Sequence, residues 1–172
     1  TDLTYDVGYE MEGILKITPD SIFISGPESV LDTIKFVSTN KFIKKGVHES
    51  ISEELVINGF SSESNIRLQE SKVVINASIE KFTEDTFELP FNLINLPEGV
   101  TISTYPSLVK ITYRVALSNF SSINASSFIV ECDYKMSLEN NLTYLVPKLI
   151  KKSNLVKNIK LTPNKIDFII EK

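Results

Sequence analysis

Hydrophobic and polar residues alternate along several segments of this chain. In residues 72–81 the apolar side chains take every second position, at Val73, Ile75, Ala77 and Ile79. Residues 108–115 repeat the pattern, with Val109, Ile111, Tyr113 and Val115 opposed to Leu108, Lys110, Thr112 and Arg114. A period of two places neighbouring side chains on opposite faces of a β-strand, so both segments are predicted to be strands with one buried face. Further strands are predicted at residues 22–25, 87–93, 128–134 and 165–171.

Helical signals are short. In residues 27–34, Val30, Leu31 and Ile34 share one face at helical spacing, which predicts one or two turns. Gly26-Pro27 provides the break before them and a proline suited to a first turn. The later segment 116–120 has no Gly-Pro, and a turn or 3₁₀ piece is predicted there. The fold class is therefore mainly β with short helical turns.

Polar segments between these elements are predicted to be connections. Residues 80–86 are polar and contain neither proline nor glycine, which indicates a short connection and not a flexible linker. Loops are predicted at residues 46–53, 59–65 and 137–141.

The chain also contains an internal repeat. Residues 18–26 lie over residues 105–113, with Pro19 over Pro106 at an offset of 87. Residues 66–75 lie over residues 159–168 at an offset of 93. Two similar offsets indicate that one unit is repeated, with a small insertion between the two matching segments. We therefore predict two tandem subdomains, residues 1–83 and 84–172, that superpose with Pro19 on Pro106 and Lys72 on Lys165.

Composition limits the classes of partner. The chain has 172 residues and a formal net charge of −4, which argues against nucleic acid, whose phosphates require a positive surface. A group of lysines near the C-terminus is either a solvated face or a patch for an anionic partner. Its members are Lys148, Lys151, Lys152, Lys157 and Lys160.

The chemistry-bearing residues do not form a recognisable site. His48 is the single histidine, in a polar segment, so neither a metal cluster nor a Ser–His–Asp arrangement is predicted. Glu53 and Glu54 would point to opposite sides of an extended chain and are interpreted as a solvated loop edge. Six scattered glycines predict no phosphate cradle. We predict no catalytic, cofactor-binding or metal-binding residues and no cofactor.

Core positions account for the other candidates. Cys132 is the only cysteine, so it forms no intramolecular disulfide, and alternation places it on one face with Phe128, Val130 and Tyr134. A small core residue is predicted there, not a nucleophile. A set of phenylalanines is likewise predicted to belong to the core and not to a binding platform. These are Phe87, Phe91, Phe120, Phe128 and Phe168.

The repeat also resembles a known family. Residues 17–34, Ile-Thr-Pro-Asp-Ser-Ile-Phe-Ile-Ser-Gly-Pro-Glu-Ser-Val-Leu-Asp-Thr-Ile, resemble the signature of YbbR-like domains, in which a Pro-x-x-Val strand leads into Gly-Pro and a short helical turn. Residues 36–39 and 42–43 fit the next strand of that family. The second copy is similar through residues 96–99, 105–111 and 158–166, although it lacks Gly-Pro after its strand.

The resemblance implies a small β-rich fold, similar to a domain of a ribosomal 5S-RNA-binding protein. YbbR-like proteins typically have an N-terminal membrane helix followed by tandem modules outside the cytoplasmic membrane. In Firmicutes one member associates with and regulates a membrane-bound diadenylate cyclase. The lysine-, asparagine- and isoleucine-rich composition looks more like that of Bacteroidetes relatives.

Our functional expectation combines these points. No stretch approaches the roughly 20 apolar residues of a membrane span, and the chain begins at Thr1 and not at a methionine. We expect a piece of a larger protein, extracytoplasmic on the periplasmic side and held to the inner membrane by an upstream anchor. Its expected role is non-enzymatic interaction with a protein partner. The alternative is a ligand- or cell-wall-binding β-domain, and an enzyme ranks third.

Overall fold

Strands predominate in the computed structural model, which describes residues 1–60 and 65–171. The prediction of a mainly β fold is confirmed. The strands are β1 (Asp2–Tyr5), β2 (Tyr9–Thr18), β3 (Ile24–Ser25), β4 (Ser38–Thr39), β5 (Ile43–Val47), β6 (Ile51–Asn58), β7 (Arg67–Leu68), β8 (Lys72–Pro90), β9 (Asn92–Ile94), β10 (Thr101–Tyr105), β11 (Leu108–Ala116), β12 (Ile129–Asp133), β13 (Tyr144–Leu145), β14 (Pro147–Lys151), β15 (Val156–Thr162) and β16 (Ile166–Glu171). The helices are α1 (Glu28–Leu31), α2 (Tyr134–Glu139) and the 3₁₀ segments Leu117–Ser122 and Ala125–Ser127. Across the described ranges, every helix is too short or too polar to cross a membrane.

The chain divides into two compact units, Thr1–Lys81 and Phe82–Lys172. The boundary falls inside β8, so residues 72–81 belong to the first unit and residues 82–90 to the second. Residues 80–86, predicted to be a short connection between the copies, do contain the boundary, but as continuous strand and not as a separate connecting segment. These residues contain no proline or glycine to interrupt a strand, and from Phe82 onward each pairs with β11, which satisfies its backbone groups.

In the first unit, residues 72–81 of β8 lie between β2 and β6 in antiparallel pairing, and β4 pairs with the outer side of β6. β1 runs parallel to β5, and β3 runs antiparallel to β7. Among residues 1–60 and 65–81, the buried side chains form two small clusters. One contains Val47, Ile51, Ala77 and Ile79, and the other contains Leu55, Ile57, Val73 and Ile75.

In the second unit, β11 lies between β15 and residues 82–90 of β8, antiparallel to both. β16 lies between β10 and β13, and β12 lies between β14 and the parallel strand β9. Most of its buried side chains form a single larger cluster. The members are Val109, Ile111, Tyr113, Val115, Ile123, Phe128, Val130, Cys132, Tyr134, Leu145, Val156 and Ile166.

Strands at corresponding positions of the two units pair in corresponding registers. Thr18 on β2 faces Val74 on β8, and Tyr105 on β10 faces Asp167 on β16. Thr18 and Tyr105 are 87 positions apart, and Val74 and Asp167 are 93 positions apart, which are the two offsets of the sequence repeat. The same two offsets relate the pair β3–β7, where Ile24 faces Leu68, to the pair β11–β15, where Ile111 faces Leu161.

The strand faces were predicted correctly. Ile75 is 1% exposed and Ile111 is 0% exposed, with the other predicted inward residues of 72–81 and 108–115 also buried. Several strand ends differ from prediction. The predicted strand 22–25 is reduced to β3, the predicted strand 87–93 is interrupted at Phe91, and β12 stops at Asp133 because Tyr134 begins α2.

Two predicted loops are largely regular structure. At residues 46–53, β5 continues to Val47 and β6 starts at Ile51, because these two buried side chains hold both ends of a short turn. At residues 137–141, α2 already runs to Glu139, since the Asp133 side chain accepts a hydrogen bond from the Met136 backbone N–H and starts the helix. Within the predicted loop 59–65, residues 61–64 lie outside the described part of the chain.

Both helical expectations are confirmed. The predicted turn in residues 27–34 is the single turn α1, and residues 116–120 enter the 3₁₀ segment Leu117–Ser122.

Candidate interaction surface

The first unit has a short strand with one open side. Within residues 1–60 and 65–171, β3 pairs with β7 alone. The corresponding strand of the second unit, β11, has partners along both sides. An unpaired strand edge presents backbone donors and acceptors on which another strand can add.

Backbone hydrogen bonding shows which residues face the open side. The Gln69 N–H donates to the Phe23 carbonyl at 3.0 Å, so Phe23 directs its backbone groups toward β7. In an antiparallel pair these directions alternate along the strand. The N–H and C=O groups of the next residue, Ile24, therefore point away from β7, toward the open side.

Local sequence explains why β3 is short. A Cβ atom on Gly26 would lie 2.5 Å from Ile66 Cδ1 and 3.2 Å from the Asn65 carbonyl oxygen, so this position favours glycine. Pro27 has no N–H for a ladder and instead precedes α1, where its carbonyl accepts from the Val30 N–H at 3.0 Å. At the corresponding positions of the second unit, Tyr113 and Arg114 simply continue β11.

A groove with both polar and apolar lining residues lies next to β3. It has a volume of about 400 Å³. Ile22 and Ile24 on its strand wall are only half-buried, and Phe36 is 81% exposed. The lining residues are Asp20, Ser21, Ile22, Ile24, Ile34, Lys35, Phe36 and Val37. On the alternate position of the strand, Phe23 is 80% exposed. Exposed apolar side chains gathered beside an unpaired edge are typical of a protein-interaction surface.

In the second unit the same place is filled. Phe87 faces Ile111, and Leu89 faces Val109, in the antiparallel pair β8–β11. Both Val109 and Ile111 are 0% exposed as a result of this and other packing. The Phe87 ring also stacks on Tyr113, with centroids 5.7 Å apart. Among residues 1–60 and 65–171, no strand takes the corresponding place beside β3.

Cys132 lies on β12 and is 0% exposed, in contact with the second unit's core cluster. Burial raises the pKa of the Cys132 thiol to about 11, so the thiolate that nucleophilic chemistry requires is disfavoured at neutral pH. Its placement as a core residue was predicted correctly.

His48 lies in the turn between β5 and β6, exposed as predicted. Its Nδ1 atom is 3.1 Å from Asp6 Oδ2 and 3.1 Å from the Gly46 carbonyl oxygen. Sequence reasoning missed this pairing, because Asp6 is far away in the chain. The edge of the Tyr9 ring faces the imidazole, with centroids 6.2 Å apart.

The two neighbouring glutamates lie in β6, so the prediction of a loop edge is wrong. Glu53 is 3.6 Å from Lys44, and Glu54 is 2.6 Å from Lys72. Because the two carboxylates point to different partner strands, they do not converge on one substrate position. Among the residues that the structure describes, no group of three or more histidine, cysteine, aspartate or glutamate side chains could hold a metal ion.

The C-terminal lysines lie on β14, β15 and the turn between them, and several are directed to separate neighbours. Lys148 Nζ is 3.1 Å from Met136 Sδ, and Lys151 Nζ donates to the Ser126 carbonyl at 3.3 Å. Lys157 Nζ lies 4.6 Å from the centre of the Phe82 ring. These separate contacts favour the solvated-face interpretation over a single anion-binding patch.

Four of the five predicted core phenylalanines pack on the second unit's cluster. Phe128 is fully buried, and Phe87, Phe91 and Phe168 lie partly buried against it. The prediction is wrong for Phe120, which is 42% exposed in the 3₁₀ segment.

No family model, curated protein or solved structure matches this chain.

Proposed function

We propose that this chain is a pair of tandem YbbR-like modules that acts outside the cytoplasmic membrane as a non-enzymatic interaction module. One observation supports the tandem arrangement above all others. The pairs β2–β8 and β10–β16 have the same register once the sequence offsets of 87 and 93 are applied. The family resemblance of residues 17–34 supplies the rest of the proposal.

Its place of action is the periplasmic side of the inner membrane, where an upstream anchor holds it beside its partner. That partner is a membrane protein, and the resemblance nominates a diadenylate cyclase for the first test. The support is the resemblance, together with the open edge and groove of the first unit, which offer a surface for contact.

Recognition of this kind needs no reacting group. An exposed strand edge binds a partner's main chain, and neighbouring apolar pockets select its side chains. A membrane anchor raises the effective concentration of the module near a membrane partner, which strengthens an otherwise weak interface. Regulation would follow from binding alone.

The experiment compares a tethered chain with an untethered one. The chain is exported behind a single membrane helix or released free, in cells that lack the native gene, and is purified from solubilised membranes. We expect one membrane protein to copurify with the tethered form and to be greatly reduced with the free form. The proposal is contradicted if the free chain restores the full biological activity of the native gene in these cells. It is also contradicted if no protein copurifies with either form.

Ligand binding is the second candidate, favoured by a separate groove in the second unit. This groove has a volume of about 400 Å³ and includes Tyr105, which is 83% exposed, together with Pro106 and Pro163. A thermal-shift screen with wall fragments and small metabolites tests it. A ligand at 100 times its dissociation constant stabilises the folded state by about 2.7 kcal/mol.

A further inference from the structure

We propose that Asn58 is a site of spontaneous covalent modification, at which the backbone nitrogen of Gly59 displaces the side-chain amide nitrogen of Asn58 as ammonia. This inference does not rest on the proposed function, because it follows from the chemistry of two neighbouring residues and from their surroundings. Asparagine directly precedes glycine only at this place in the sequence. Every other asparagine is followed by a residue that has a side chain.

The reaction needs only the chain and water. Asparagine is among the chemically labile residues. The Gly59 nitrogen loses its proton and bonds to Cγ of Asn58, the bond from Cγ to Nδ2 breaks, and the nitrogen that leaves takes up the proton as ammonia. Water then opens the five-membered succinimide at either of its carbonyls. One opening gives aspartate, and the other gives isoaspartate, in which the main chain runs through Cγ and is longer by one methylene group.

The end of β6 leaves both reacting residues accessible. Asn58 is the last residue of this strand, Gly59 follows it, and both are exposed. A Cβ atom on Gly59 would have no neighbour within 4 Å in the described part of the chain, so this side of the backbone is open. Gly59 has a φ of 112°, which favours glycine, and it has no side chain to hinder the approach of its nitrogen to Cγ of Asn58.

A second asparagine restrains the reaction in the folded chain. The Nδ2 atom of Asn58 donates a hydrogen bond to Oδ1 of Asn40. Asn40 is itself held against β6, because its N–H donates to the Val56 carbonyl at 3.0 Å. The bond between the two side chains holds the Asn58 amide, and it must break before Cγ can turn to meet the Gly59 nitrogen. Asn40 is therefore a positioning residue that slows the modification.

The modification changes the charge of the candidate surface. Asn58 lines a groove of about 300 Å³ together with Lys35 and Phe36, which also line the groove next to β3. Replacing the neutral amide with a carboxylate makes the formal net charge of −4 more negative by one and places an anion in the same groove as Lys35. Isoaspartate also lengthens the main chain at the residue that faces Ser38 in the pair β4–β6. This surface therefore exists in an original and a modified form.

Peptide mapping by mass spectrometry, after incubation of the whole chain at mildly alkaline pH, tests the site. We expect aspartate and isoaspartate at position 58, formed about tenfold or more faster than at Asn141, an exposed asparagine followed by Leu142, because only glycine leaves the attacking nitrogen unhindered. Asn58→Gln is the matched control and should stay unmodified, since its longer side chain would have to close a six-membered ring. Equal rates at Asn58 and Asn141, an unmodified Asn58, or aspartate without isoaspartate overturns the proposal.

Substitutions at Asn40 test its restraining role. Asn40→Ala should speed the modification of the folded chain by about threefold or more, as expected for the loss of one exposed hydrogen bond. Asn40→Asp retains an acceptor for the Asn58 amide and should not speed it. In concentrated urea the parent and Asn40→Ala should react at the same rate, because the bond is then absent. An unchanged rate in folded Asn40→Ala, or an equal acceleration in urea, refutes the role of Asn40 while the modification site itself stands.

Discussion

The two units use similar strands to build different interiors. In the part of the chain that the structure describes, the core cluster of the second unit has twelve buried residues, whereas the first unit has two clusters of four. Residues 82–90 explain part of this difference, since they cover β11 on the side where β3 has no partner among residues 1–60 and 65–171. Pairing with this flanking strand thus accounts for part of the closure of the second unit's core.

A single pair of positions shows how the sequences enforce this difference. Gly26 in the first unit corresponds to Tyr113 in the second, at the offset of 87. The tyrosine is 1% exposed and anchors β11 against Phe87 and Phe128. The glycine instead allows Ile66 to approach closely, and Pro27 ends the strand. Stability in the second unit is therefore expected to exceed that in the first.

The largest effect is expected when the two corresponding isoleucines, Ile111 and Ile24, are each truncated to alanine. Ile111→Ala should lower the free energy of unfolding of the second unit by about 2–5 kcal/mol, the usual cost for a fully buried aliphatic side chain. Ile24→Ala should cost only about 1 kcal/mol, because that side chain is half-exposed. Urea unfolding measures both, with Cys132 labelling for the second unit and amide NMR signals for the first.

Thr112→Ala is the control in the second unit, since its side chain lies on the opposite face of β11 and should change little. Equal effects of Ile111→Ala and Thr112→Ala would contradict the assigned face. Equal effects of Ile111→Ala and Ile24→Ala would remove the basis for treating the first unit as the more open one.

A second test makes the second unit resemble the first. Phe87→Ala removes the ring that stacks on Tyr113 and faces Ile111, and should cost about 2 kcal/mol because the ring is only partly buried. Glu88→Ala, on the exposed face of the same strand, is the matched control. If the two substitutions have the same small effect on the urea midpoint, the flanking strand does not stabilise β11.

Much of this architecture could be predicted from period-two patterning. The buried faces of β8 and β11 and the core position of Cys132 followed directly, because one buried face leaves a clear alternation. The continuation of β8 through residues 80–86 could not be predicted in this way. Polar residues such as Glu84 and Thr86 pair through their backbones, and backbone pairing leaves little trace in the polarity of the side chains.

The candidate surface was harder to predict. An open edge is the lack of a neighbour on one side of β3, and side chains at an edge and at the centre of a sheet can look alike. Ile22 and Ile24 have the same apolar pattern as Val109 and Ile111, yet only the latter pair is fully buried. Whether each pair of side chains is buried depends on long-range strand pairing, which the local sequence pattern does not encode.

A smaller effect is expected from Gly26→Ala. The new methyl group would lie 2.5 Å from Ile66 Cδ1 and 3.2 Å from the Asn65 carbonyl oxygen, so it should weaken the pair β3–β7 by about 1–2 kcal/mol. Faster amide exchange at Gln69 reports this local opening, and Ser25→Ala, on the exposed neighbouring residue, serves as the control. Unchanged exchange at Gln69 would show that Ile66 moves aside without cost.

The smallest expected effect on stability concerns Tyr113. The corresponding residue of the first unit, Gly26, has no side chain. Burial, the charge of Asp85 and the hydrogen bond from the phenol to Asp85, 3.2 Å long, together raise the pKa of the Tyr113 phenol from 10.0 to about 12, with burial the largest cause. A raised pKa means that the folded state favours the protonated phenol. Its contribution is therefore complete below pH 10 and is lost as the pH rises toward 12.

Tyr113→Phe removes this contribution at every pH. At pH 8 the variant should be less stable than the parent by about 1 kcal/mol, the usual net value of one hydrogen bond. The difference should shrink between pH 10 and 12, because the Tyr113 phenol of the parent then ionises in the unfolded chain but not in the folded unit, which lowers the free energy of unfolding of the parent alone. Urea midpoints at pH 8, 10 and 11.5 measure it, with Cys132 retained in both chains so that thiol ionisation contributes equally. A difference that stays constant across this range would mean that Tyr113 ionises as easily in the folded unit as in the unfolded chain, and the second unit's core would then be less closed than the comparison requires.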